Sequence, residues 1–198
     1  MTANSFTSIQ RVHQALSRSR GTPAARGELV LDLQFVRELL AWKGNAPAPE
    51  GLDPADLLME GCRTLNLDLV CLQSDQVAVK QLNPVIGMES IRRFRDADLF
   101  VFWIVDGVFQ SAVRRHGLTA VFSLIAKSPD VLASELKSTS DQVMILMKKG
   151  VDAGAHGILM ADDIAYNRST YMSPDFIEQC LQPVWKAQTE KAKALGVP

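Results

Sequence analysis

Cysteine is scarce in this chain. Cys62, Cys71 and Cys180 are odd in number and widely spaced, so neither a disulfide framework nor a CxxC metal knuckle can be assembled from them. A reducing compartment, the cytoplasm, is the expectation. Charge of one sign is also lacking: 21 basic against 22 acidic residues leave a net charge of −1. That balance supplies no cationic field for nucleic acid or an anionic lipid surface. Long apolar runs are missing, the longest being Leu99–Val105, and the N-terminal MTANSFTSIQRVHQALSRSR has no apolar stretch of the secretory kind. The expectation is a soluble protein. No GxGxxG or GxxxxGK[ST] follows any strand-like segment, which disfavours the common nucleotide sites. The three histidines, His13, His116 and His156, have no partner at metal-ligand spacing, so no metal site is expected.

What is present is ordinary globular material: 198 residues, 47% hydrophobic and 22% charged, read as one domain over 1–198. Ile9, Val12, His13 and Leu16 fall at i, i+3, i+4 and i+7, the spacing of an N-terminal helix. A loop, RSRGTPAARG, leads to a short apolar strand at Leu29–Leu31 and a helix over Leu33–Lys43. After the linker GNAPAPEG, Asp53-Pro54 supplies a cap with proline at N1 for a helix reaching about Leu65. Leu67–Leu72 reads as the second strand. A turn at Asn83-Pro84 and a basic helix Glu89–Arg95 precede the third strand, LFVFWIV. Helices are expected over Phe109–His116, Ala120–Ala126 and Pro129–Val151, then a last strand Ile158–Met160. Ser173-Pro174 opens the final helix, in which Pro183 predicts a break near Leu181–Pro183.

The run LFVFWIV does not alternate, so it must be covered on both faces, the habit of parallel sheets with helical crossovers. Four strand-then-helix units therefore predict an α/β fold of four parallel strands with outer helices. An eight-stranded barrel needs about 250 residues, so this pattern matches half of a TIM-type (β/α)8 barrel with a raw edge on each side.

Each expected strand ends in an acid: Asp32, Asp75, Asp106 and Asp162, the last followed by Asp163. Strand C-termini line the functional face of parallel α/β folds, so these carboxylates are expected on one rim. There they can hold a cation, accept hydrogen bonds from pyrrole or amine N–H groups, or act as general acids with raised pKa. For Asp32, directly before a helix, capping competes with function. Tyr166 is a candidate hydroxyl donor to the same pocket. His156 precedes the last strand, opposite the rim, and reads as structural.

The ordered set Gly154-Ala155, Asp162-Asp163, Ala165-Tyr166, Ser173-Pro174, Phe176 and Pro183 resembles the central segment of the uroporphyrinogen decarboxylase superfamily, which includes corrinoid-linked methyltransferases. DLFVFWIVDGVF over 98–109 is similar to the preceding strand and turn, and the first helix with GELVLD matches more weakly. The resemblance implies the first half of a complete (β/α)8 barrel, since the chain stops where relatives enter their fifth strand. Ser74-Asp75 resembles the pair that carries the catalytic acid in the decarboxylases. Their Arg-rich carboxylate-gripping segment is replaced here by Leu31-Asp32-Leu33-Gln34-Phe35, which argues against uroporphyrinogen as substrate. Asp-Asp-Ile-Ala-Tyr resembles the methyltransferase branch more closely, whose zinc ligands come largely from the missing half.

The strand-end positions, with the resemblance at Ser74-Asp75, point to catalytic roles for Asp75, Asp106 and Asp162 and substrate contacts for Asp32, Asp163 and Tyr166. The resemblance implies a tetrapyrrole-type ligand, a corrinoid as substrate or partner, and no cofactor for decarboxylase-like chemistry. Activity would require the barrel to be completed by a second copy, pairing edge strands as a homodimer, or by a separate second-half chain. The alternatives are a tetrapyrrole- or corrinoid-binding accessory module without turnover, and a degenerate relative without activity.

Overall fold

Several helices begin where a polar side chain or a proline answers the unpaired first turn. The computed structural model describes residues 6–21, 23–44, 51–73 and 86–198. Thr7 heads helix α1 (Ser8–Leu16) in a capping box: its hydroxyl accepts from the Gln10 amide at 3.2 Å, and the Gln10 side chain accepts from the Thr7 amide at 3.0 Å. Asp32 accepts from the Phe35 amide at 2.8 Å ahead of α2 (Leu33–Gly44). Asp53 with Pro54 opens α3 (Pro54–Leu65), which stops at Asn66 in the left-handed region, φ 52°. Part of the Pro/Ala-rich linker, 45–50, lies outside the described residues, as do Ser74, Asp75 and Asn83-Pro84.

Strands β1 (Leu69–Gln73), β2 (Phe100–Asp106) and β3 (Gly157–Ala161) form a three-stranded parallel sheet in the order β1-β2-β3. A 3₁₀ turn at Met88–Ser90 and α4 (Ile91–Asp96) precede β2. Between β2 and β3 run α5 (Val108–His116), α6 (Leu118–Lys127) and α7 (Pro129–Asp152). After β3, Ser173 caps α8 (Pro174–Phe176), a π-helical turn covers Ile177–Leu181, and α9 (Gln182–Ala194) completes the chain's helices. The π turn lies where Pro183 predicts a break. Proline has no N–H for the Gln179 carbonyl, and the ladder slips so that the Gln182 amide donates to Ile177.

Among the described residues, three of the four expected strands form. Leu29–Leu31 forms no strand; the chain there makes a single parallel bridge, Gly27 to Leu69, beside which the Asp68 amide donates to the Arg26 carbonyl at 2.8 Å. Gly27 allows this approach because a Cβ would stand 2.2 Å from the Leu69 side chain. A three-residue apolar segment supplies too few rungs to extend the ladder further.

The sheet has two unlike faces. Val70, Leu72, Val101, Trp103 and Val105, with Ile158 and Met160, belong to the main core shared with the helices. Leu69, Cys71, Phe102, Ile104, Leu159 and Ala161 alternate with them and form a separate apolar cluster on the opposite face. Right-handed crossovers between strands in sequential order place the connecting helices on one side, which accounts for the split. Helix α1 reaches the start of β2, where His13 meets Phe100 edge-on at 5.1 Å.

Arg11 anchors α1 to the sheet. Its Nε donates to Asp68 Oδ1 at 2.9 Å, its Nη2 pairs with the same oxygen, and Oδ2 accepts from the Arg26 amide at 2.9 Å. Burial alone would raise the Asp68 pKa, but the bonds from Arg11, the Arg26 amide and Ser8 outweigh it and hold the carboxylate below its ordinary value. Arg11→Ala is therefore expected to cost about 2–3 kcal/mol in urea unfolding at neutral pH, because the buried carboxylate loses its cation. A depressed folded pKa stabilises the protein above the unfolded value near 3.8 and loses that contribution as pH falls through the folded value. Arg11→Ala should accordingly flatten the acid side of the stability curve. An unchanged acid slope would refute the assignment.

Candidate functional site

Parallel pairing brings two of the acids together. Asp106 is the last residue of β2, opposite Ala161 at the end of β3, and Asp162 follows directly. The Gly107 amide extends the ladder by donating to the Ala161 carbonyl at 2.8 Å. Gly107 also heads α5 and has no side chain to cap it. Asp162 supplies that cap from the neighbouring strand: Oδ1 accepts from the Gln110 amide at 2.9 Å, and the Phe109 amide is a second donor. Glycine is required at 107, since a Cβ would lie 2.1 Å from the Asp162 carboxyl carbon. Oδ2 accepts from the Trp185 indole N–H at 2.9 Å, tying α9 to the rim.

Burial pushes the Asp162 pKa up and the nearby charge of Asp106 adds to it, while the Gln110, Trp185 and Phe109 donors pull it down without cancelling the rise. Asp106 is 4% exposed and pairs with Arg114 of α5 at 3.2 Å; the guanidinium is 37% exposed and open to solvent. The rim therefore holds a buried carboxylate with a cation in reach beside a second carboxyl whose pKa lies above its ordinary value.

Asp32, Asp163 and Tyr166 make other contacts, or none, among the described residues. Asp32 is exposed and caps α2. Asp75 lies outside the described residues. Asp163 is exposed. Tyr166 is half exposed in a tight turn closed by the Ala165–Thr170 bridge, its ring stacked on Tyr171 at 5.7 Å. Tyr171 in turn meets Phe122 at 5.5 Å and Phe109 at 6.4 Å, so Tyr166 ends an aromatic row that runs to the head of α5.

Sequence reasoning missed Trp185, Arg114, Gly107 and this aromatic row. A signal for Asp162 as a cap did exist: α5 starts from a glycine with no Ser, Thr, Asp or Asn at its head. His156 accepts from the Val101 amide at Nδ1, 3.1 Å, and stacks on Phe100 at 5.0 Å. Burial, with His13 and Arg95 near, keeps its pKa below the usual imidazole value. Burial also pushes the Cys62 and Cys71 thiols up to about 12, so neither is a thiolate at neutral pH.

Among the described residues no three His, Cys, Asp or Glu side chains gather as a metal site, and no helix is long and apolar enough to cross a membrane. A groove of about 550 Å³ lies between α7 and α9, lined by Lys137, Ser140, Met144 and Cys180 among others; none of the rim carboxylates lines it. Compared with family models, with curated proteins and with solved structures, the chain matches none.

Proposed function

We propose that this chain is half of a (β/α)8-type barrel, similar to the uroporphyrinogen decarboxylase superfamily and closest to its corrinoid-linked methyltransferase branch. Its rim would bind a tetrapyrrole- or corrinoid-type ligand once another chain closes the barrel. The observation that supports the reading is that Asp106 and Asp162 stand near each other at the ends of adjacent parallel strands, above a sheet whose second face is apolar. Sequential strand order with the helices on one side is the arrangement of a barrel segment, and Ile104, Leu159 and Ala161 would form its inner wall.

The acceptor set suits a ligand that presents N–H groups, the pyrroles of a porphyrinogen or the side-chain amides of a corrinoid. A carboxylate only accepts hydrogen bonds, and Asp106 keeps its charge balanced by Arg114 while it does so. Arg114 can also turn its exposed face toward a ligand carboxylate. Zinc-thiolate methyl transfer would need ligands from beyond the described residues.

A second reading, a binding module without turnover, draws support from Asp162. Both of its oxygens are engaged by donors of this chain, which leaves it little freedom to move a proton. Titration with a corrinoid, followed by its visible absorbance, tests binding. A saturable band shift that Asp106→Asn weakens at least tenfold is the expected result, and no shift at ligand concentrations up to about 1 mM, an affinity of about −4 kcal/mol, would reject both readings. Binding without methyl transfer or carbon dioxide release selects the accessory role.

A further inference from the structure

We infer that the groove between α7 and the start of α9 is a binding site for a free α-amino acid with an apolar side chain. Ser140 and Lys137 meet its carboxylate, Asp141 its ammonium, and Met144 and Val184 its side chain. None of the rim carboxylates lines this groove, so the inference is independent of the half-barrel reading.

Ser140 carries the inference. It is 4% exposed, it lines the groove, and its hydroxyl has no hydrogen-bond partner among the described residues. A buried serine inside a helix ordinarily satisfies itself on the carbonyl four residues earlier. Here that bond is not made, and the oxygen is left for a guest of the groove. Gln188 repeats the anomaly beside it. This residue follows the groove-lining Ala187 one turn beyond Val184, is fully buried, and has neither amide atom bonded among the described residues. Unpaired buried polar groups are costly and few in folded proteins. Their gathering at a groove of about 550 Å³, a volume usual for small-molecule sites, points to a ligand with polar atoms. The π turn forms part of the same wall through Cys180, and such turns are frequent at functional sites.

The lining selects the class of ligand. Among the described residues, Lys137 and Asp141 are the charged groups of the groove, four residues apart and so on one face of α7. Neither makes an ion pair or a side-chain hydrogen bond among the described residues. One ammonium and one carboxylate cancel, so a net anion or a net cation meets a like charge here, whereas a zwitterion answers both. A carboxylate accepts from the Lys137 ammonium and the Ser140 hydroxyl, and an ammonium donates to Asp141. Met144, one turn beyond Ser140, and Val184 across the groove offer apolar surface to an aliphatic or aromatic side chain.

Cys180 reports occupancy in the unmodified chain. Cys62 and Cys71 are buried, so iodoacetamide reaches Cys180 first, and mass spectrometry of its peptide gives the rate. Burial and the charge of Asp130 raise the Cys180 pKa, so labelling is followed at about pH 8.5. L-leucine and L-phenylalanine are the probes. Either should slow labelling saturably, at least about fivefold, with a half-effect below about 1 mM. The acid 4-methylpentanoate keeps the carboxylate and the branched chain of leucine without the ammonium, and should protect at least about tenfold less well. Equal protection by that acid overturns the zwitterion, and no protection by either amino acid up to about 10 mM overturns the site. Ser140→Ala separates binding from packing: it should weaken protection at least about tenfold while raising the urea midpoint of the free protein, because an unbonded buried hydroxyl is removed. A lowered midpoint with protection unchanged gives Ser140 a packing role and refutes the inference.

Discussion

Asp162→Ala is expected to lower the unfolding free energy by about 2–3 kcal/mol, the sum of a lost helix cap and a half-buried indole donor left without its acceptor. The side chain holds three elements at once: it ends β3, caps α5 through the Gln110 amide, and receives Trp185 from α9. Urea unfolding followed by Trp185 fluorescence measures the loss. A change below about 1 kcal/mol would show that water replaces the carboxylate without cost.

Asp162→Asn isolates the charge. Because the folded pKa of Asp162 lies above the unfolded value near 3.8, the folded state favours the protonated carboxyl. Its contribution is complete below that value and is lost as pH rises through the folded pKa. The stability of the wild type should therefore decline relative to Asp162→Asn across that window, and parallel curves would contradict it. Asp68 acts in the opposite sense, losing its contribution as pH falls. The two acids thus oppose each other: Asp68 loses its contribution as pH falls, and Asp162 loses its own as pH rises.

Gly150→Ala is the second large effect. Alanine favours a helix over glycine by about 1 kcal/mol, yet a Cβ at 150 would stand 2.3 Å from the Trp103 ring, which is buried in the main core. Overpacking at such a contact costs about 1–3 kcal/mol. We expect a net loss of about 1 kcal/mol and a perturbed near-ultraviolet tryptophan signal. Trp103→Leu should recover part of the loss in the double variant, since the two substitutions act on one contact. Strictly additive effects would place the cost elsewhere.

Helix positions are legible in the sequence where the helix carries its own start signal: Thr7, Asp53-Pro54 and Ser173-Pro174 all lie at observed caps. The strands Leu69–Gln73 and Phe100–Asp106 are legible as apolar runs too short for helices. Leu29–Leu31 misleads for the same reason. Three apolar residues mark a segment that lies near a sheet, and whether rungs form depends on the partner strand, which local pattern does not reveal. The rim is half legible. That Asp106 and Asp162 meet follows from parallel order, whereas the cap that Asp162 gives to a helix more than 50 residues earlier is a tertiary contact without a local spacing. Asp32, next to its own helix, has the capping geometry that local pattern does describe.

The π-helical turn at Ile177–Leu181 fixes the azimuth of everything after it. An α-helix advances about 100° per residue, so the slipped residue rotates α9 by that angle relative to an uninterrupted helix. Trp185 reaches Asp162 only in this rotational phase, and Val184, Gln188 and Ala192 turn inward with it. Removing one residue from the turn would smooth the helix and swing the indole off the rim, so the irregularity next to Pro183 works as an aiming device for a side chain downstream of it.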